Sequence, residues 1–258
     1  MMRRITLMLA IVLTACAAAP AAAERLVVSL SNHRVAITSN FDGDDLVLFG
    51  TVEPTDKTKL RQNYDLVVTV TGPRQTLRTR RKERVLGIWV NVDAREFVRV
   101  PSYLTVLSNR PVAEIASPDV LRLNQVGIAN FLLPQRIGPD VADTVPNDPY
   151  RAAFVRLSSQ QGLYRESGAG VTFLTPTVFR AAVPLPAVVP TGAYVIDVKL
   201  FADGVLVART SSALEVVKAG FEQFIAEAAR DYGFLYGLAT ALMALLTGWL
   251  ASVIFRRD

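Results

Sequence analysis

Residues 64–73 read YDLVVTVTGP, an aliphatic and β-branched run from Tyr64 to Val70 stopped by Gly72-Pro73. Branching at Cβ restricts side chains in a helix and suits a pleated, half-buried strand, while Gly-Pro ends the ladder. The segment predicts a strand, and the same alternation recurs on either side of it. Upstream, Leu26–Leu30, Val35–Thr38 and Leu46–Phe49 alternate between turn residues, the last after Asp42-Gly43-Asp44. Downstream, Gln75–Arg80, Arg84–Val92, Phe97–Val100 and Tyr103–Leu107 read likewise. Short strands at this spacing predict an immunoglobulin-like β-sandwich over residues 24–115.

The pattern then changes period. Ser117-Pro118-Asp119 has the form of a helix start, with Val120, Leu123 and Val126 at helical spacing behind it. A Pro-, Gly- and Asp-rich loop covers Pro134–Asn147. Asp148-Pro149 then opens a second helix, with Tyr150, Phe154, Leu157, Gln161 and Tyr164 on one face. A helical hairpin with its loop is thus expected over 116–168. Strands resume from Val171, through Phe179–Val183, Ala193–Phe201, Val205–Thr210 and Ala213–Val217, with a hairpin turn at Asp203-Gly204. These predict a second, smaller β module over 169–217, and a mainly β fold class for the chain.

The two ends concern location. Arg3-Arg4, a short apolar run Ile5–Leu13 and small residues to Ala23 have the form of a secretory signal peptide, residues 1–23. Cleavage after Ala23 would remove Cys16. Leu13-Thr14-Ala15-Cys16 also resembles a lipobox, in which Cys16 would be lipidated, and both outcomes stay open. At the other end an amphipathic stem, 218–232, carries Phe221, Phe224, Ile225, Ala228 and Tyr232 on one face. No charge interrupts 233–255, a helix of about 35 Å and long enough to cross a bilayer. Arg256-Arg257 in the tail, 256–258, predict a cytoplasmic C-terminus. The expected protein is single-pass in the bacterial inner membrane, with a periplasmic ectodomain.

Composition narrows the classes further. The chain has 28 basic and 23 acidic residues, and loss of Arg3 and Arg4 with the leader leaves 26 against 23. That balance does not point to nucleic acid. Cys16 is the only cysteine, so no disulfide framework or thiolate zinc site is expected. No metal, cofactor or catalytic set is predicted, and the chain is read as non-enzymatic.

Individual residues offer weak chemistry. His33, the single histidine, falls in a turn between strands. Asp42, Asp44 and Asp45 suit a turn better than a calcium loop, because no distal glutamate follows in register. Ser158-Ser159 and Tyr164 have no adjacent base. The densest charge run, Arg78, Arg80, Arg81, Lys82 and Arg84, could meet an anion, anionic headgroups or an acidic partner, or simply guard a strand edge. Gly237, Ala241, Ala244, Gly248 and Ala251 form a small-residue face suited to pairing with another membrane helix or a second copy of the chain.

Three segments carry a resemblance: RLVVSLSNHRVAITSNFDGDDLVLFG, GIWVNVDAREFVRVPSYLTVLSNRP and LYGLATALMALLTGWLASVIFRR. The chain resembles an alphaproteobacterial transmembrane-protein family to which no activity is assigned. The resemblance implies an inner-membrane location and proximity to permeases of the sulfite-exporter type, and it supplies no catalytic residues. The expected function is that of a membrane-tethered periplasmic accessory or binding protein. An envelope-assembly or sensing module is the alternative, and an enzyme without a recognisable active site comes third.

Overall fold

The computed structural model describes residues 24–53, 64–138, 140–143, 148–220, 225 and 229–254. The signal segment with Cys16, the stem residues Phe221, Phe224 and Ala228, and Arg256-Arg257 lie outside them.

The chain is mainly β, as its alternation predicts. A four-stranded sheet has the order β1 (Arg25–Leu30), β3 (Gly43–Glu53), β12 (Val178–Pro186), β11 (Val171–Phe173). A six-stranded sheet has the order β10 (Tyr164–Ser167), β7 (Leu104–Ser108), β4 (Tyr64–Thr71), β13 (Gly192–Ala202), β14 (Val205–Lys218), β2 (Arg34–Ile37). Between them lies one apolar core. Leu48 and Phe179 come from the smaller sheet, and Leu66, Val68, Tyr194, Ile196 and Leu200 from the larger.

The division into two β modules is therefore corrected by the pairing. β3 from the first stretch bonds β12 from the second along nine residue pairs, Val178↔Thr51 to Pro186↔Gly43. β4 pairs β13 from Thr71↔Val195 to Tyr64↔Ala202. Each stretch supplies strands to both sheets, so neither encloses a core by itself. Alternation marks a strand and its apolar face but carries no information about its neighbour. Close fit appears at Gly50 of β3, where a Cβ would stand 2.3 Å from Cζ of Phe179.

A third sheet, in the order β5 (Arg74–Val85), β6 (Ile88–Pro101), β8 (Pro134–Ile137), β9 (Asp140–Asp143), replaces several expected short pieces. The strand expected over Arg84–Val92 instead reverses at Leu86-Gly87, whose φ values are +49° and +86°. Two left-handed residues make a tight hairpin turn. Phe97–Val100 belongs to the return strand. The Asp203-Gly204 turn forms where expected, with φ of +51° and +78°.

The expected helical hairpin is also corrected. α1 (Pro118–Leu123) and α2 (Pro149–Gln160) are separated by the β8–β9 hairpin, where a loop was expected. Asp148 caps α2 by accepting the Tyr150 amide at 2.8 Å. Ser117 contributes only its carbonyl to Leu121. α2 stops at Gly162 (φ +72°), where the Gly162 and Leu163 amides donate to Ser159 and Ser158 carbonyls. That is a Schellman stop, and it sends Tyr164 into strand β10 instead of prolonging the helix. Phe154 of α2 stacks on Phe97 at 4.4 Å and meets Tyr164 edge-on at 5.5 Å, which fastens the helix over the root of the third sheet. The last element, α3 (Gly233–Ile254), is apolar and none of its residues is buried.

Candidate functional site

Strand β13 alternates in a way that builds a site. Ile196, Val198 and Leu200 point into the sandwich, so Asp197, Lys199 and Phe201 face the other side of the sheet. Over Phe201 that side is sealed by Val112, Ile115, Leu121 and Val126, which cover Val67 and Val106 as well. Beyond α1 the cover parts and leaves a cleft of about 470 Å³. Thr69, Thr71, Arg74, Asp197, Lys199 and Arg209 line it together with Asn124, Gln125 and Phe131. Arg151 steadies the segment that carries Phe131. It is buried in α2 and donates to the carbonyls of Ala129 at 3.0 Å and Phe131 at 2.8 Å.

The polar centre of the cleft is an ionic trio. Lys199 Nζ lies 2.6 Å from Asp197 Oδ2, and Arg209 Nε donates to Asp197 Oδ1 at 2.7 Å. Lys199 is only 4% exposed, whereas the Arg209 side chain is 63% exposed. The Asp197 carboxylate raises the Arg209 pKa above its ordinary value, chiefly through that hydrogen bond. Thr69 sits directly opposite Asp197 across the ladder. Its hydroxyl is buried and has no hydrogen-bond partner among the described residues. A buried ion pair contributes little more stability than apolar residues of the same size would. Its position on the wall of a cleft therefore points to binding. Three cations, one carboxylate and free hydroxyl capacity form a donor-rich set that suits an oxyanion.

The residues singled out from sequence lie elsewhere. Arg78, Arg80, Arg81, Lys82 and Arg84 are exposed along β5, where Arg81 meets Glu83 at 2.9 Å. Asp93 faces this run from β6 and accepts the Tyr150 hydroxyl at 2.5 Å. That bond, first among its causes, holds the Asp93 carboxyl below its ordinary pKa. His33 is exposed between β1 and β2, and its carbonyl accepts the Glu215 amide. Asp44 accepts the Asp45 amide at 2.8 Å within the first residues of β3, where a turn was expected. Among the described residues no group of three His, Cys, Asp or Glu side chains could hold a metal. Ser158 lies in α2, and the Tyr164 hydroxyl donates to the Pro101 carbonyl at 2.7 Å. Gly237, Ala241, Ala244, Gly248 and Ala251 all lie on α3, and nothing stands within 4 Å of a Cβ built at Gly237 or Gly248.

Asp197, Lys199 and Arg209 were missed in the sequence, although a signal existed. In the run VIDVKLF the charges fall on one face of a strand that is otherwise apolar. A strand buried on both faces does not carry a lysine and an aspartate two apart unless they find each other.

Two packed sheets carried on one bare, apolar C-terminal helix define a membrane-anchored β-sandwich protein. The chain belongs to the family described as "Putative transmembrane protein (Alph_Pro_TM)", whose model matches residues 25–257. Family and helix together make it a single-pass membrane protein. No curated protein matches the chain.

Proposed function

We propose that this protein is a non-enzymatic, membrane-tethered periplasmic accessory protein that binds a small oxyanion and holds it beside an inner-membrane permease. The observation that carries this reading is the cleft. There Lys199 and Arg209 pair with one carboxylate, Asp197, beside an unpartnered Thr69 hydroxyl, and Arg74, which donates to the Arg99 carbonyl, lines the same cleft. Oxyanions with several acceptor atoms match such a set, because each charge-assisted hydrogen bond adds affinity and fixes orientation. The tether keeps the site at the membrane surface, where a captured solute is close to a transporter.

Calorimetric titration of the detergent-purified chain with sulfite, sulfate and phosphate tests the reading. At least one should bind, and Lys199→Met should weaken that binding about tenfold or more, the worth of one charge-assisted hydrogen bond. Absence of binding heat for every oxyanion, with the protein folded, refutes it. Recovery of a permease with the chain from solubilised membranes supports the second half of the proposal; recovery of an assembly factor instead would replace it.

A further inference from the structure

The β5–β6 ribbon ends in a bare apolar tip. At the Leu86-Gly87 turn, Leu86 is fully exposed, and Ile88 and Trp89 are 65% and 69% exposed, with Val85 beside them. Among the described residues β6 pairs β8 only at Glu96 and Phe97, so there the strands of the outer ribbon pair only with each other. Behind the tip the charge is lopsided. Over residues 78–93, five basic residues stand against two acidic ones, Glu83 and Asp93. Basic residues alone would be a guard against strand aggregation. Leaving Leu86, Ile88 and Trp89 in water at the end defeats that purpose.

The topology says what lies nearby. Thr71, the last residue of β4, pairs Val195, and Gly192 at the start of β13 pairs Val216 of β14. The C-terminal ends of β4 and β14 therefore lie at one end of the larger sheet. From the first the ladder continues through Gly72 and Pro73 into the ribbon, the Gly72 amide donating to the Tyr103 carbonyl and the Ser102 amide to the Pro73 carbonyl, and from the second the chain runs on to α3. Gly192 even abuts the Pro73 ring, since a Cβ there would lie 3.1 Å from it. The root of the ribbon and the route to the membrane helix thus leave the sandwich together. A ribbon of this length spans about 40 Å. Residues 219–232 can reach at most about 50 Å, and less because 225 and 229–231 are helical, and within that limit the tether allows the tip to meet the bilayer.

We propose that the β5–β6 tip, Val85 to Trp89, inserts into the surface of the bilayer that α3 spans, with Arg78, Arg80, Arg81, Lys82 and Arg84 engaging anionic lipid headgroups. An indole is suited to the interface, having an apolar ring and an N–H that can stay wet. Basic residues near an anionic leaflet add attraction that weakens with salt. Neither feature needs to bind strongly, because the tether holds the tip at high effective concentration over the lipid.

Trp89 reports the outcome directly. The sequence has two tryptophans, Trp89 and Trp249, so Trp249→Phe leaves Trp89 alone. The full chain with that change is reconstituted into vesicles of phosphatidylethanolamine and phosphatidylglycerol, and in parallel into phosphatidylcholine. In the anionic vesicles Trp89 emission should shift to the blue and be quenched by lipids brominated on their acyl chains. Both effects should diminish with added salt, be smaller in phosphatidylcholine, and vanish in Leu86→Asp with Ile88→Asp. Emission that remains that of a water-exposed indole in both vesicles overturns the proposal and leaves a protein surface as the occupant. Equal quenching in the two vesicles overturns the headgroup contact. If Trp249→Phe impairs folding, the difference between wild-type and Trp89→Phe emission gives the same reading.

Discussion

Three tyrosines, Tyr103, Tyr164 and Tyr194, bury their rings and donate their hydroxyls to proline carbonyls, those of Pro184, Pro101 and Pro190. Tyr103 and Tyr194 also meet ring to ring at 5.7 Å. Burial disfavours the phenolate, so it pushes the Tyr103 pKa up to about 12 and raises those of Tyr164 and Tyr194 as well. An unfolded tyrosine loses its proton near pH 10. The folded chain therefore binds more protons than the unfolded one above that point. The stability these groups contribute is complete below about pH 10 and is lost as pH rises through about 12. Denaturant midpoints should fall steeply across that window. Tyr103→Phe should lower stability by about 1–2 kcal/mol at neutral pH, through the orphaned Pro184 carbonyl, and should make the alkaline decline shallower. An unchanged alkaline slope would show that the Tyr103 proton is not linked to folding.

Among the described helices, α3 is the one with no buried residue. Its Thr240 hydroxyl donates back to the Tyr236 carbonyl at 2.5 Å and Thr247 bonds Met243 likewise, so neither keeps a hydroxyl proton to donate to another helix. Association must come from close approach of backbones, which small side chains permit and lipid does not oppose. The proposed face is Gly237, Ala241, Ala244, Gly248 and Ala251. Gly237→Leu with Gly248→Leu should abolish recovery of a tagged second copy or partner while membrane insertion persists. Leu238→Ala with Leu245→Ala should leave recovery nearly intact, and equal behaviour of the two pairs would refute a helix-pairing role. This helix was legible because twenty or so apolar residues have few other uses. The ribbon was not: its turn is made by Leu86-Gly87, and a leucine at positive φ announces no reversal. Gly162 and the Asp148 cap are readable local signals, yet the apolar spacing runs on to Tyr164 because Leu163 and Tyr164 remain apolar on leaving α2.

At the scale of the molecule the shared core governs how the ectodomain can be cut. β12, β13 and β14 supply Phe179, Val183, Ile196, Leu200 and Leu214 to the same core as β1, β3 and β4. A fragment of residues 24–115 would expose the inner faces of both partial sheets, and backbone groups of β3 and β4 would lose their partners. That fragment should show no cooperative unfolding and should aggregate. Residues 24–218 should unfold in one transition with a mainly β circular dichroism spectrum. Independent cooperative folding of 24–115 would restore two modules.

What the sequence determined by itself are properties of single segments: strands by alternation, the Asp203-Gly204 turn by its residues, and the membrane helix by an uninterrupted apolar run. These rest on interactions within a few residues, so they are written locally. Tertiary structure alone decided which strands pair, because register and neighbour choice depend on apolar faces that many strands share. It also decided the cleft. Thr69 and Asp197 are far apart in the chain, and only the β4–β13 ladder sets them side by side. Likewise, Arg209 meets Asp197 only because β13 and β14 fold back at Asp203-Gly204. A site assembled across strands has no continuous sequence to read, since its spacing is set by the 4.7–4.9 Å between strands and not by the distance along the chain.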